Sequence, residues 1–458
     1  MGDSRVRISL VAPARRERLT RSMRSPYRTV DFWLLVATGA WLAGQLVLAT
    51  SGLRIVTFDD QAVLRAIADP AQASEARALD FQIGRFYAAV KFSTLEALML
   101  VSSDTWHATL RVLALALAAG AAAWFTWEWR RNWRTTLLLF GATLGLMQVT
   151  ISYQAFLSYP HYFLGWVGVW AMAAFALRPD STSNRAGILL AYATALIVHE
   201  SNAVFVILPV VLRAAVRHEN IFWTALRPFW ACALVLAVYA GLALSLRHAA
   251  PDIQASYQGT STSFDLGRYA LALNVFSLSS FPGIEGWRIR WSDAGQPLWL
   301  TPAEWLARIH AGTTAIHLIS AALMGAAVWR GLARDDTEPR ASWRRTLPIL
   351  AVVVAMAYAP NLLLAATIKY QGWAQQRMWP YYFSTMSYLA WMVFLVNGSD
   401  GLLSSLRRPG WRATGRALVA GLTVVIALSV FASSAEALGY LRQQPLAHIK
   451  DYPHRQLK

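Results

Sequence analysis

"AGILLAYATALIVHESNAVFVILPVVLR", residues 186–213, is uncharged up to its final arginine except at its centre, where His199 and Glu200 interrupt it. Two readings compete. A single continuous helix would cross a membrane once, with the polar HESN group buried in its middle. A hairpin of two short helices, 186–198 and 203–214, would cross twice and place residues 199–202 at its tip. The choice sets the polarity of every later segment. Each arm is short: thirteen residues rise only about 20 Å, against an apolar slab of roughly 30 Å. The tip of a hairpin would therefore lie below the membrane surface, which irregular backbone tolerates only where protein or water lines it. Arginine decides between the two. A single crossing would move the arginines of the proposed inner segments between 213 and 416 to the opposite side. The hairpin is favoured, with Asn202 expected to cap the returning helix.

Working outward, the 458 residues are 56% hydrophobic and only 15% charged, with a mean hydropathy of +0.36. A soluble chain of this size carries about 25% charge. The apolar runs are continuous rather than alternating, which points to helices and against a barrel. The fold class expected is an all-α polytopic membrane protein with about 11 transmembrane helices. The spans are placed at 32–50, 109–126, 135–151, 160–177, 186–198, 203–214, 226–246, 310–329, 347–367, 380–398 and 414–433. Segments assigned to the inner side carry 25 of the 42 Lys and Arg, eight of them before residue 32. That asymmetry puts the N-terminus in the cytoplasm and the other face outside. No cleavable signal pattern precedes the first span. Residues 1–31 read as a basic cytoplasmic arm, 32–433 as one integral membrane unit and 434–458 as a periplasmic tail. Two long outer loops remain, 53–108 and 247–309. The first contains amphipathic stretches, "QAVLRAIAD" and "ARALDFQIGRFYAAVKF". The second, richer in Gly, Ser and Trp, reads as mostly irregular.

The net charge of +17 raises nucleic acid as a partner. The arginines flank apolar spans, however, which fits membrane orientation and anionic lipid and argues against nucleic acid. The single cysteine, Cys232, lies within an apolar run, so there is neither a disulfide framework nor a Cys metal site. No Walker A loop, GxSxG, HExxH or dinucleotide fingerprint is present.

Three places remain for chemistry. "IVTFDDQAVL", 55–64, sets Asp59 and Asp60 side by side just after the first span. Neighbouring like charges raise one another's pKa and favour a usable base. A helix cap at Asp59 for a helix starting near Gln61 explains the same residue without chemistry, and the two roles are compatible. His199 and Glu200 are ionisable groups at membrane depth, which are costly to place there and tend to be functional; a turn that reaches the interface is the plainer alternative. "IKYQGWAQQRMWPYYF", 368–383, holds Lys369 and Arg377 among belt aromatics, and a guanidinium matches phosphate geometry. Lesser candidates are Tyr153, Gln154 and His161 as sugar contacts. Arg111 is another, as the partner of an acidic residue, a phosphate or the interface.

The combination of "TFDD" at 57–60, amphipathic stretches over 76–93 and "VHESN" at 198–202 resembles the GT-C superfamily of membrane glycosyltransferases. Within it, the chain is similar to bacterial multipass proteins related to O-antigen glucosyltransferases. The likeness covers about the first 215 residues and departs in lacking a large C-terminal outer domain. It implies a polyprenyl-phosphate sugar as donor, a glycan or lipid as acceptor and surrounding membrane lipids. Asp59 or Asp60 would be the catalytic base. His199, Glu200, Arg377 and Lys369 would bind substrate, and a divalent cation, Mg²⁺ or Mn²⁺, is compatible with the acidic pair. An O-antigen polymerase or ligase and a lipid-linked oligosaccharide transporter are the rival functions. The sequence specifies neither sugar, acceptor nor oligomeric state.

Overall fold

A computed structural model describes residues 26–53, 69–82, 84, 86, 90, 93–94, 96–98, 100–149, 160–216, 221–249, 262–263, 265–287, 299–333, 343–375, 384–406 and 408–443. Secondary structure among them is helical, apart from one isolated bridge between Thr262 and Thr367. In chain order the first helices are α1 (Pro26–Thr50), α2 (Pro70–Gln82), α3 (Asp104–Arg130) and α4 (Trp133–Gly145). Next come α5 (Tyr162–Leu177), α6 (Thr182–Val198), a 3-10 segment (Glu200–Ile207) and α7 (Leu208–Val216). They are followed by α8 (Ile221–Ala249), α9 (Leu266–Ser279), α10 (Ile284–Trp287), α11 (Pro302–Gly312) and α12 (Ala315–Gly331). The last are α13 (Trp343–Ala365), α14 (Ile368–Gln375), α15 (Ser384–Ser405) and α16 (Pro409–Gln443).

Five described helical stretches are long and apolar enough to cross a membrane: Thr29–Thr50, Asp104–Arg130, Phe229–Ala249, Thr346–Ala365 and Pro409–Gln443. A sixth arises if α11 and α12, bent by 110°, form one crossing. Outward faces are apolar too, as with Trp230, Leu234 and Val238 on α8 and Leu418 and Leu422 on α16, all exposed. A surface of that kind suits lipid rather than water. The eleven apolar segments of the sequence all overlap helices, though several of those helices are shorter than a full crossing.

Ion pairs show which helix ends share a level. Asp31, near the start of α1, lies 2.8 Å from Arg134 at the start of α4 and 3.6 Å from Arg330 at the end of α12. Glu128, near the end of α3, takes Arg178 just past α5 at 2.7 Å. Arg130 donates to Thr346 of α13 (3.0 Å) and to the Asn397 carbonyl of α15 (2.6 Å), with Asp400 at 3.9 Å. Arg416 of α16 covers the ring of Trp329 in α12 at 4.6 Å. Buried charge is stable only when paired, so these contacts tie one end of the bundle together. The opposite end holds His107, His161 and His199. We call them the arginine end and the histidine end.

The hairpin is settled by the same logic. Asp180 precedes α6, and Arg213 lies near the close of α7, yet they are 3.3 Å apart. Arg185 of α6 binds the same carboxylate at 2.5 Å. Residue 213 has therefore returned to the level at which α6 began. Gly168 lets α5 and α6 pack closely, since a Cβ there would come within 2.5 Å of the Ala191 carbonyl oxygen.

Two expectations are corrected. Among its described residues, loop 247–309 is not mostly irregular: α9 and α10 lie within it, and α11 begins in it at Pro302. Asp265 caps α9 by accepting from Arg268 N–H (3.1 Å), and Thr301 with Glu304 forms a capping box on α11. These helices are too short to register as spans, and Gly and Ser in the loop masked them. The tail assigned to 434–458 begins inside α16, which continues to Gln443 because "SSAEALGYLRQ" keeps helical propensity beyond the apolar run. In the first outer loop, the described helix is α2, beginning at Pro70; the stretch 61–68 lies outside the described residues. Beyond α2 the chain turns at Gly84 (φ 76°) so close to α8 that a Cβ would sit 2.7 Å from the Ala243 oxygen.

Hydrogen bonding from Arg185, outweighing a small cost of burial, together with the charge of Arg213, holds the Asp180 carboxyl below its ordinary value of 3.8. A depressed folded pKa means the clasp stabilises fully above the unfolded value and is lost as pH falls through the folded one. Asp180→Asn should cost about 1–3 kcal/mol. It should also flatten the loss of thermal stability in detergent between about pH 5 and pH 3; thermal unfolding of both forms across that range checks this.

Candidate functional site

The hairpin tip stands at the histidine end. His199 ends α6 in extended backbone, and its Nδ1 accepts from Ser201 N–H at 3.1 Å. His199, and not Asn202 as expected, thus caps the returning segment. Asn202 instead points back: its side-chain amide donates to the Ala195 carbonyl at 2.8 Å, a second donor there beside the His199 N–H at 3.2 Å. Tyr192 donates its hydroxyl to the Ala203 carbonyl at 3.2 Å. The irregular turn is therefore closed by its own side chains, which is what buried non-helical backbone requires. Gly165 of α5 allows this, because a Cβ there would come within 3.0 Å of the Asn202 amide nitrogen.

Ionisable and aromatic groups gather around the tip. Nε2 of His199 lies 3.9 Å from a Glu200 carboxylate oxygen. The Tyr162 ring touches both His199 (centroids 5.1 Å apart) and His161 (4.3 Å). His161 is fully buried, His199 is 8% exposed, and the Glu200 side chain is 31% exposed. The glutamate is thus the member that reaches the open side of the tip. A carboxylate beside an imidazole can orient the ring, hydrogen-bond a hydroxyl-rich ligand or relay a proton.

Arg111 of α3 also stands at this end, fully buried, donating to the Leu53 carbonyl at 2.5 Å. The plain alternative, snorkelling to the interface, is excluded by that burial. His107, one turn earlier on the same face, is equally enclosed and was not singled out from sequence. Its signal was there: 107 and 111 are four apart on an apolar helix. Gln148, just beyond α4, is 1% exposed, and neither of its amide atoms has a partner among the described residues.

The other sequence candidates divide. Asp59, Asp60 and Arg377 lie outside the described residues, as do Tyr153 and Gln154. Lys369 is described: it is exposed on α14, with its ammonium 4.9 Å from the Trp373 ring. That helix belongs to a separate small apolar cluster with α9, built on Phe276, Leu364 and Tyr370. Among the described residues no group of three His, Cys, Asp or Glu is arranged to hold a metal ion.

Replacing His199 by Leu removes the acceptor for Ser201 N–H and should cost about 1 kcal/mol. His199→Asn retains a capping acceptor and should cost less than half as much. Paired thermal melts in detergent read the difference, and equal losses would refute the capping role.

No protein-family model, no curated protein and no solved structure matches this chain.

Proposed function

We propose that this protein is a membrane glycosyltransferase that moves a monosaccharide from a polyprenyl-phosphate donor to a hydroxyl of a glycan or lipid acceptor. In this reading the eleven apolar segments are eleven crossings. The arginine end faces the cytoplasm and the histidine end the periplasm. One observation carries the proposal: a sealed helical hairpin raises a His–Glu pair at the histidine end, backed by the buried His161 and Tyr162. Ionisable groups inside a membrane bundle are costly and are retained where a ligand needs them. Arg111 adds support. It holds the chain at Leu53, six residues before Asp59, at this same end.

The chemistry follows from the residue types. An aspartate of the 59–60 pair takes the proton from the acceptor hydroxyl. The oxygen attacks the anomeric carbon, and the bond from that carbon to the lipid phosphate oxygen breaks. The departing phosphate gains charge, which Arg377 and Lys369 would balance. His199 and Glu200 would hydrogen-bond sugar hydroxyls and fix the ring for attack.

The test is incubation of the purified protein with polyprenyl-phosphate sugars and a hydroxyl acceptor, measuring free lipid phosphate. Asp59→Asn or Asp60→Asn should lower turnover by about 10²–10⁴-fold at whichever residue is the base. Glu200→Gln should raise KM for the donor more than it lowers kcat. No lipid phosphate released from any donor sinks the enzyme reading. Turnover retained in both aspartate variants sinks the proposed base. Transport of intact lipid-linked sugar without cleavage would favour the transporter.

A further inference from the structure

On the other flank of the bundle lies a cavity of about 420 Å³ that belongs to none of the groups above. It is bounded by the end of α1, the residues closing α4, the start of α12 and the last turns of α16. The hairpin packs instead on α5, α8 and α13, with α3 and α4 in between. We propose that this cavity is a binding site for an anionic phospholipid, one acyl chain inside and the phosphate at Arg442.

Its interior is aliphatic, with Leu42, Leu46, Met147 and Leu438 in the wall. Two wall serines already accept hydrogen bonds: Ser320 from Trp41 Nε1 (2.9 Å) and Ser434 from Val149 N–H (3.1 Å). The His317 ring lies flat against Phe431, centroids 5.5 Å apart, and its Nδ1 takes the Thr314 N–H at 3.2 Å. What the walls offer a ligand is therefore mainly apolar contact, in a volume within the roughly 300–1,000 Å³ of small-molecule sites.

The rim supplies the charge. Arg442 is exposed at the mouth, and one guanidinium nitrogen donates to the Ala49 carbonyl at 2.8 Å, which fixes the side chain there. Among the described residues no carboxylate pairs with it; Glu436, the acid nearest in sequence on α16, is bound to Arg308 at 3.0 Å. The remaining donors of a held guanidinium match a phosphate's paired oxygens. Leu48 and Ile316, also at the cavity, are 66% and 47% exposed, so its edge continues into the apolar outer surface. An apolar slot open toward lipid, with a cation at its mouth that no described carboxylate pairs, is complementary to a chain bearing one negative head. This assignment stands apart from the glycosyltransferase reading.

The experiment is native mass spectrometry of the full-length protein in neutral detergent. It is offered phosphatidylglycerol, phosphatidylcholine of the same chains, or polyprenyl monophosphate. Phosphatidylglycerol should be retained about 10-fold over phosphatidylcholine. Arg442→Gln should bring that ratio close to one while lipid still binds. Ala435→Phe, which fills the cavity, should abolish retention of both, with Ala435→Leu as the milder variant if the first does not fold. An unchanged ratio in Arg442→Gln, or unchanged retention in the filled variants, overturns the site. Preferential retention of polyprenyl monophosphate overturns the phospholipid assignment and makes the cavity a donor site.

Discussion

The carboxylate of Asp180, shared by Arg185 and Arg213, holds together two helices that neither length nor hydrophobicity would hold in place. Charged groups that packing shields from water at the end of a helical bundle are stable only beside an opposite charge. The same solution recurs at Asp31, Glu128 and Asp400. Together these pairs bring one end each of α1, α3, α4, α5, α6, α7, α12, α13 and α15 to one level. Helix direction then alternates without further instruction. Because hydrophobic attraction between helices is weak in a lipid environment, such pairs and close small-residue contacts carry the specificity of assembly. Gly168 against Ala191, and Gly312 within 2.9 Å of the Ala432 backbone for an added Cβ, are contacts of that second kind.

The histidine end is built differently. Several polar groups there turn inward and bind backbone: His199 holds Ser201, Asn202 holds Ala195 and Arg111 holds Leu53. Such bonds satisfy the backbone groups of an irregular turn that packing shields from water. One end of the molecule is thus locked by ion pairs, and the other holds an irregular turn on which the Glu200 side chain is partly exposed. This division of labour, rigid scaffold at one level and ligand-facing turns at the other, is how loops gain precision from the elements that carry them.

Two ligand chemistries sit at that open end in the readings above. The hairpin tip offers hydrogen bonding and proton transfer beside α5. The cavity by α12 and α16 offers an aliphatic slot and a cation. Their separation across α3 and α4 lets a resident lipid shape the bundle without competing for the tip.

Composition by itself determined that the chain is helical and apolar enough for several crossings, because a lipid phase demands long uncharged stretches with internal backbone bonds. It also gave the hairpin, since moving so many arginines across a membrane is too costly for one continuous helix at 186–214. Spacing could not reveal that Asn202 faces α6 rather than caps the return, because either bond satisfies the same residue type. Nor could it reveal α9, whose fourteen residues are stabilised by packing on α13 and α14 and not by length. The burial of Arg111 and His107, the ring contacts that join His161 to His199 through Tyr162, and the cavity under Arg442 depend on helices far apart in sequence. Only the tertiary structure decided these, because one-dimensional pattern records which face of a helix is apolar but not which partner will cover it.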